Sequence, residues 1–265
     1  MPKRAGTAKL KSSEEIESMR EAGRLVYQIL DRMRELSRPG ITTAEMNVVA
    51  ERMISDVGAE ALFRGVETKQ AKFPFPSALC TSVNQQVVHG IPDNRPLCAG
   101  DIVSIDCGVR LNGFCGDSAT TIAIGEVLPE IGRLLKVTEE ALGIAIDRIK
   151  PKRWWSEIAT AIQSHVENAG FSVVRDFVGH GIGRDMHEEP KIPNYSDQQE
   201  RRMDFVLCEG MVLAVEPMVN MGSPKVIYED QTGWPVVTQD GGYAAHFEHT
   251  IAVTSRGADV LTDGR

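Results

Sequence analysis

Apolar residues recur at helical spacing through Ile16, Met19, Val26, Ile29, Leu30 and Met33, until Pro39-Gly40 ends the pattern. Ser12-x-x-Glu15 stands ahead of this run as a capping box, so a first helix begins there. Thr42-x-x-Glu45 repeats the signal and opens a second helix reaching Gly58, after which the polar stretch from Arg64 to Pro76 reads as a loop. Short β-rich runs follow at Val83 to Val88, Ile102 to Val109 and Phe114 to Ile124, and Asn112-Gly113 marks a tight hairpin between the last two. Helical periodicity returns from Pro129 to Lys150 and from Ser156 to Gly170, and short strands alternate with loops from there to Val253.

The pattern repeats itself. Leu97-Cys98-Ala99-Gly100-Asp101-Ile102-Val103-Ser104-Ile105-Asp106 lines up with Leu207-Cys208-Glu209-Gly210-Met211-Val212-Leu213-Ala214-Val215-Glu216, with apolar residues matched at Leu97, Cys98, Ile102, Val103 and Ile105, and sets Asp106 against Glu216. Thr121-Ile122-Ala123-Ile124 recurs as Thr250-Ile251-Ala252-Val253, with an acid ahead of each, Asp117 and Glu248. His89-Gly90-Ile91 returns as His180-Gly181-Ile182, and Ala44-Glu45-Met46 with Gly58 is echoed by Ser156-Glu157-Ile158 with Gly170. The expected fold is therefore α/β of the α+β kind, two αα-then-β halves related by a pseudo-twofold, covering about 12–150 and 151–265 of one domain spanning 12–265.

Composition narrows the function. The 265 residues are 42% hydrophobic and 25% charged, enough for a sizeable core and too apolar for disorder. A net charge of −8 argues against a surface built for nucleic acid. The five cysteines, Cys80, Cys98, Cys107, Cys115 and Cys208, form no C-x-x-C pair and suit reduced thiols in the cytoplasm. No run approaches the roughly 20 apolar residues of a membrane span. Residues 1–11, with Lys3, Arg4, Lys9 and Lys11, read as a flexible basic tail without the apolar run of a signal peptide.

If the halves pack about a pseudo-dyad, Asp106, Asp117, Glu216 and Glu248 converge, and four carboxylates together require cations between them. A two-residue turn at Asn112-Gly113 sets Asp117 opposite Gly108, on the same sheet face as Asp106; a three-residue turn would flip that register. Of the six histidines, His180 lies between glycines that admit a ligand closely, whereas His165 sits in a helical stretch and reads as ordinary. An oxygen-rich site with one nitrogen suits two divalent ions of the Mn, Fe, Co or Zn kind, which activate water for hydrolysis. His89 and His187 remain as donors near such a site or as structural histidines.

Several segments are distinctive enough to show a family likeness: Glu15-Ile16-Glu17-Ser18-Met19-Arg20-Glu21-Ala22-Gly23, Cys80-Thr81-Ser82-Val83-Asn84, Val88-His89-Gly90-Ile91-Pro92, Asp106 to Asp117, Gly179-His180-Gly181-Ile182-Gly183, His187-Glu188-Glu189-Pro190, Val215-Glu216-Pro217 and Phe247-Glu248-His249-Thr250. From about Ser12 to its C-terminus the chain resembles the type I methionine aminopeptidases, which have the pita-bread fold, a central antiparallel sheet with helices on its outer face. The resemblance implies five metal ligands, Asp106, Asp117, His180, Glu216 and Glu248, with Asp117 and Glu248 bridging two ions. It makes Glu216 the proton shuttle, His187 the donor to the carbonyl oxygen, His89 a contact of the scissile amide nitrogen, and Asp106 with a metal the anchor of the substrate amine. It maps the methionine pocket to Phe75, Cys80 and Trp234, with Met186 beside His187.

Three features depart from the usual family pattern: Met186 stands where an aromatic residue is common, Val66 to Pro74 lacks the Tyr- and Gly-bearing loop, and His246 replaces a residue that is usually uncharged. The implied substrates are nascent chains and peptides beginning with Met and a small second residue, handled by a cytoplasmic monomer with the ribosome as a further contact of the basic tail, and without DNA or membrane partners. The competing readings are a proline-specific peptidase of the same fold and a non-catalytic peptide-binding relative. The first normally carries an extra N-terminal domain, and the second usually loses metal ligands that are all present here.

Overall fold

The computed structural model describes residues 8–265, so most of the expected basic tail lies outside the described residues. The first two helices, α1 (Ser13–Leu36) and α2 (Thr43–Asp56), each begin with the reciprocal capping box, through Ser12 with Glu15 and Thr42 with Glu45. Two further α-helices among the described residues are α3 (Pro129–Arg148), entered through a proline in its first turn, and α4 (Trp155–Asn168). α2 and α4 are both 14 residues long, and Gly58 and Gly170 follow them with φ of 68° and 84°, a conformation that costs glycine little.

Among the described residues every strand pairing is antiparallel. In the N-terminal half, Ile102–Leu111 lies between the hairpin partner Phe114–Ala123 on one side and Leu79–Val83 with Glu60–Ala61 on the other. In the C-terminal half, Val212–Val215 pairs with His249–Thr254 and Gly179–Gly181, and the sheet is completed by Gly257–Val260 and Glu188–Ile192. The expected single run from Val83 to Val88 is two strands, Leu79–Val83 and Gln86–Val88, because Asn84 turns the chain at φ 57°. Its side-chain amide donates to Asp101 and its carbonyl oxygen accepts from the Ile102 amide, so the turn is held locally.

Strand alternation divides core from site. Val103, Ile105, Cys107 and Val109 point toward α1 and α2, where Val26, Ile29, Met33, Met46 and Ala50 cover them. Leu213, Val215, Ile251 and Val253 point toward α3 and α4, against Leu134, Ile158 and Ile162. Each such buried aliphatic side chain contributes about 1.5–3 kcal/mol of transfer free energy. The residues between them, Asp106, Gly108, Glu216, Glu248 and Thr250, are left on the opposite face.

The two halves meet through reciprocal hydrogen bonds. Thr121 Oγ1 accepts from the His246 amide at 2.9 Å and donates to the His246 carbonyl at 2.8 Å. Thr250 Oγ1 does the same for Asp117, at 3.1 and 2.8 Å. Thr121 lies opposite Ser104 and Thr250 opposite Ala214, positions equivalent in the repeat. This register corrects one detail of the internal alignment. Asp117 precedes Thr121 by four residues, and the residue four before Thr250 is His246; Glu248, two before it, matches Ala119. The offset of two keeps Glu248 on the site face.

Candidate metal centre

Five acids and histidines arrive on one cavity from both halves. Asp106, in the middle of its strand, lies opposite Cys80 on one neighbour and Ala119 on the other. The two-residue turn at Asn112-Gly113, with φ of 51° and 80°, sets Asp117 opposite Gly108 as the hairpin spacing predicts. A Cβ at Gly108 would stand 3.2 Å from Asp117 Oδ1 and 3.3 Å from Met186 Sδ, so the missing side chain gives the Asp117 carboxylate its room. Glu216 and Glu248 follow and precede paired strands, and His180 enters from the adjoining Gly179–Gly181.

The distances are those of groups facing a shared space. His180 Nε2 is 3.6 Å from Glu216 Oε1 and 4.0 Å from Asp117 Oδ2. His180 Nδ1 lies 2.9 Å from the Gly181 carbonyl oxygen, which places a proton on Nδ1 and leaves Nε2 as a lone-pair donor toward the cavity. Asp117, His180 and Glu248 offer ligand atoms within 4.8 Å of one another, as do Glu216, His246 and Glu248. Asp106 Oδ1, Asp117 Oδ1, Glu248 Oε1 and His246 Nε2 are buried without a hydrogen-bond partner. Orphaned carboxylate oxygens and imidazole nitrogen in one place are a set of donors that fits divalent cations.

Burial without a counter-charge shows in the titration of these groups. Desolvation raises Asp117 and Glu216 to about 8, with the Glu216 carboxylate adding to the shift at Asp117. Asp106 and Glu248 are pushed well above the carboxylate range by burial, then by their acidic neighbours. Burial lowers His89, His180 and His246 to about 4 and holds them neutral near pH 7. His187 is also lowered by burial.

The cavity is about 260 Å³, and all eleven expected site residues line it: Phe75, Cys80, His89, Asp106, Asp117, His180, Met186, His187, Glu216, Trp234 and Glu248. His187 stands with its ring centroid 4.3 Å from that of His180, and His89 packs edge-on to Phe177 and Trp234. Phe75 meets Trp234 edge to face at 5.1 Å, and the indole N–H donates to the Phe73 carbonyl at 2.8 Å. Phe63, Val66, Thr68, Phe177 and Val178 also line it, none of them part of a motif in the sequence, and so do Val88 and His246. His165 lies on α4 beside Glu140, outside the cavity.

The sequence profile of metallopeptidase family M24 matches residues 17–255. The chain belongs to metallopeptidase family M24. A methionine aminopeptidase of Clostridium perfringens is 46% identical over 253 residues, which are 96% of this chain and 98% of that one. Methionine aminopeptidase 1 of Bacillus subtilis is 46% identical, with 95% and 98% covered. The crystal structure of a methionine aminopeptidase from Rickettsia prowazekii superposes with a TM-score of 0.90 at 37% identity, covering 96% and 99%. A Pyrococcus furiosus prolidase shares the fold at 22% identity and a TM-score of 0.72, with 66% of its length covered. The expected pita-bread fold of two pseudo-twofold halves is thus the fold of this M24 chain. No helix of the described residues is long and apolar enough to cross a membrane.

Proposed function

We infer that this M24 chain hydrolyses the peptide bond after an N-terminal methionine, on nascent proteins and peptides with a small second residue. The observation that carries the reading is the joining of Asp106, Asp117, His180, Glu216 and Glu248 to the apolar wall of Phe63, Phe75, Cys80 and Trp234 in one cavity. Near full-length likeness to methionine aminopeptidases supports it.

Asp106, Asp117, His180, Glu216 and Glu248 would hold two divalent ions, Co, Mn, Fe or Zn. Bound there, such ions supply Lewis acidity and lower the pKa of water. The Asp106 carboxylate receives the substrate's free α-amine, which restricts the reaction to chain ends. Glu216 takes the proton from the attacking water and passes it to the departing amine. His187, neutral and at the cavity wall, donates an N–H to the carbonyl oxygen as negative charge grows on it. His89 offers its ring to the scissile amide nitrogen. Phe75, Cys80, Trp234 and Met186 enclose the methionine side chain and exclude water; the flexible Met186 thioether gives a softer wall than an aromatic ring.

The same reading makes residues 12–265 one catalytic domain. It places the protein in the cytoplasm as a monomer, with the ribosome as a contact and neither DNA nor membrane as a partner. Protein supplied with Co or Mn is expected to release Met from Met-Ala and Met-Gly peptides, and to lose that activity with a chelator. Faster cleavage of Xaa-Pro peptides would overturn the assignment in favour of a prolidase-type peptidase.

A further inference from the structure

The reciprocal threonine bonds single out a residue that the five-ligand set does not use. Thr250 Oγ1 clasps the backbone N–H and carbonyl of Asp117, and Thr121 Oγ1 clasps those of His246. His246 therefore stands at the pseudo-twofold equivalent of Asp117, and like Asp117 it lines the cavity. Its side chain is 3% exposed, and its Nε2 has no hydrogen-bond partner. The nearest carboxylate oxygen, Glu216 Oε2, is 3.6 Å away, beyond hydrogen-bond reach yet at a separation two ligands of one cation can share. Glu248 supplies the third atom, all three within 4.8 Å.

We propose that His246 is a sixth metal ligand in this chain, binding through Nε2 to an ion held with Glu216 and Glu248. The proposal rests on the dinuclear reading of the site and adds a second imidazole on the side of the cavity that the pseudo-dyad relates to Asp117. Its position is fixed from behind, because the Thr121 hydroxyl that holds the His246 backbone also meets Ser104 Oγ at 2.8 Å. A hydroxyl network at the seam between the halves thus sets a ligand at the front of the sheet. With two nitrogens among its donors the site favours Zn and Co over Mn more strongly than one with a single histidine.

Metal-free protein loaded with Co(II) gives paramagnetically shifted proton resonances from each coordinated imidazole. The wild type is expected to show two sets; His246→Gln removes one and His180→Gln the other. Calorimetric titration with MnCl2 and ZnCl2 is expected to show at least a tenfold loss of affinity for one ion in His246→Gln, larger for Zn than for Mn. One set of imidazole resonances in the wild type, unaltered by His246→Gln, overturns the proposal and leaves the peptidase reading standing. A wild type that binds neither metal overturns both. The wild-type count needs no variant, so a poorly folding His246→Gln does not remove the test.

Discussion

At the scale of single residues, His187 and His180 show how similar side chains take different work from their backbone setting. The Gly181 carbonyl orients His180 with Nε2 toward the acids, whereas His187 stands beside it with no carboxylate partner and keeps an N–H to donate. His187→Ala is expected to lower kcat by about 100- to 1000-fold with little change in KM, because the bond it makes strengthens only as the oxyanion forms. Steady-state kinetics on a Met-Ala peptide checks this, and an effect confined to KM contradicts it. The buried acids make a second prediction. Asp117 and Glu216, held up to about 8, keep protons that the unfolded chain loses near about pH 4, so stability of the metal-free protein falls as pH rises between those values. His89, His180, His246 and His249, lowered to about 4, act oppositely, but only up to about pH 6.5, where unfolded histidine titrates. From pH 6.5 to 8 the carboxyl effect stands alone. Urea midpoints of chelated protein should fall across that window, and those of metal-loaded protein should not. Asp106 and Glu216 were legible because they adjoin the apolar runs Ile102-Val103-Ser104-Ile105 and Val212-Leu213-Ala214-Val215, and Asp117 and Glu248 through the internal repeat, with the hairpin turn fixing the register of Asp117. His246 was legible only as a departure, since its role depends on a register between strands 125 residues apart in sequence.

At the scale of elements, the hairpin Ile102–Leu111 to Phe114–Ala123 carries the most information in the fewest residues. Its turn type could be read from Asn112-Gly113, and the turn sets every pairing up to Ile102 with Ala123. The other face of the same hairpin was not legible. A Cβ at Gly116 would stand 2.8 Å from the Gly23 nitrogen and 2.9 Å from the Ala22 carbonyl carbon, so α1 lies directly on the sheet there. Nothing local in Cys115-Gly116-Asp117 announces a helix overhead. Gly116→Ala is expected to cost about 1–3 kcal/mol, because either α1 or the hairpin must shift. Gly143, inside α3 with open space where its Cβ would be, should behave oppositely, Gly143→Ala adding about 0.5–1 kcal/mol. Urea unfolding of the pair separates close packing from helix propensity, and a neutral Gly116→Ala would mean that the contact is slack. Local turn chemistry also explains the divided Val83 to Val88 run, where hydrophobic pattern alone could not show that Asn84 would bond to Asp101 and Ile102.

At the scale of the whole molecule, the N-terminal approach to α1 is tied to the loop that carries His187. Two of the basic residues expected to be free in a flexible tail are engaged: Lys11 Nζ lies 2.6 Å from Glu188 Oε2, and Lys9 Nζ lies 3.0 Å from Asp185 Oδ2 and 3.5 Å from Glu188 Oε1. The Lys11 amide also donates to the Gly210 carbonyl at 2.7 Å, joining this segment to the approach to the Val212–Val215 strand. The chain before the first helix therefore links two parts of the C-terminal half, a connection between ends of the sequence that no local pattern reveals. The Lys11 and Glu188 side chains are 6% and 2% exposed, so removing one partner strands a charge in a nearly dry place. Lys11→Met is expected to destabilise by less than the roughly 3–5 kcal/mol of a fully unpaired buried charge, because Lys9 remains beside Glu188. Lys11→Met with Glu188→Gln should recover part of the loss, since no charge is then left unpaired. Glu188 adjoins His187, so the single variant should also lower kcat more than it raises KM, and the double variant should not restore kcat in step with stability. Parallel recovery of both would show that Lys11 serves the fold alone; recovery of stability without turnover would show that the tether aims His187.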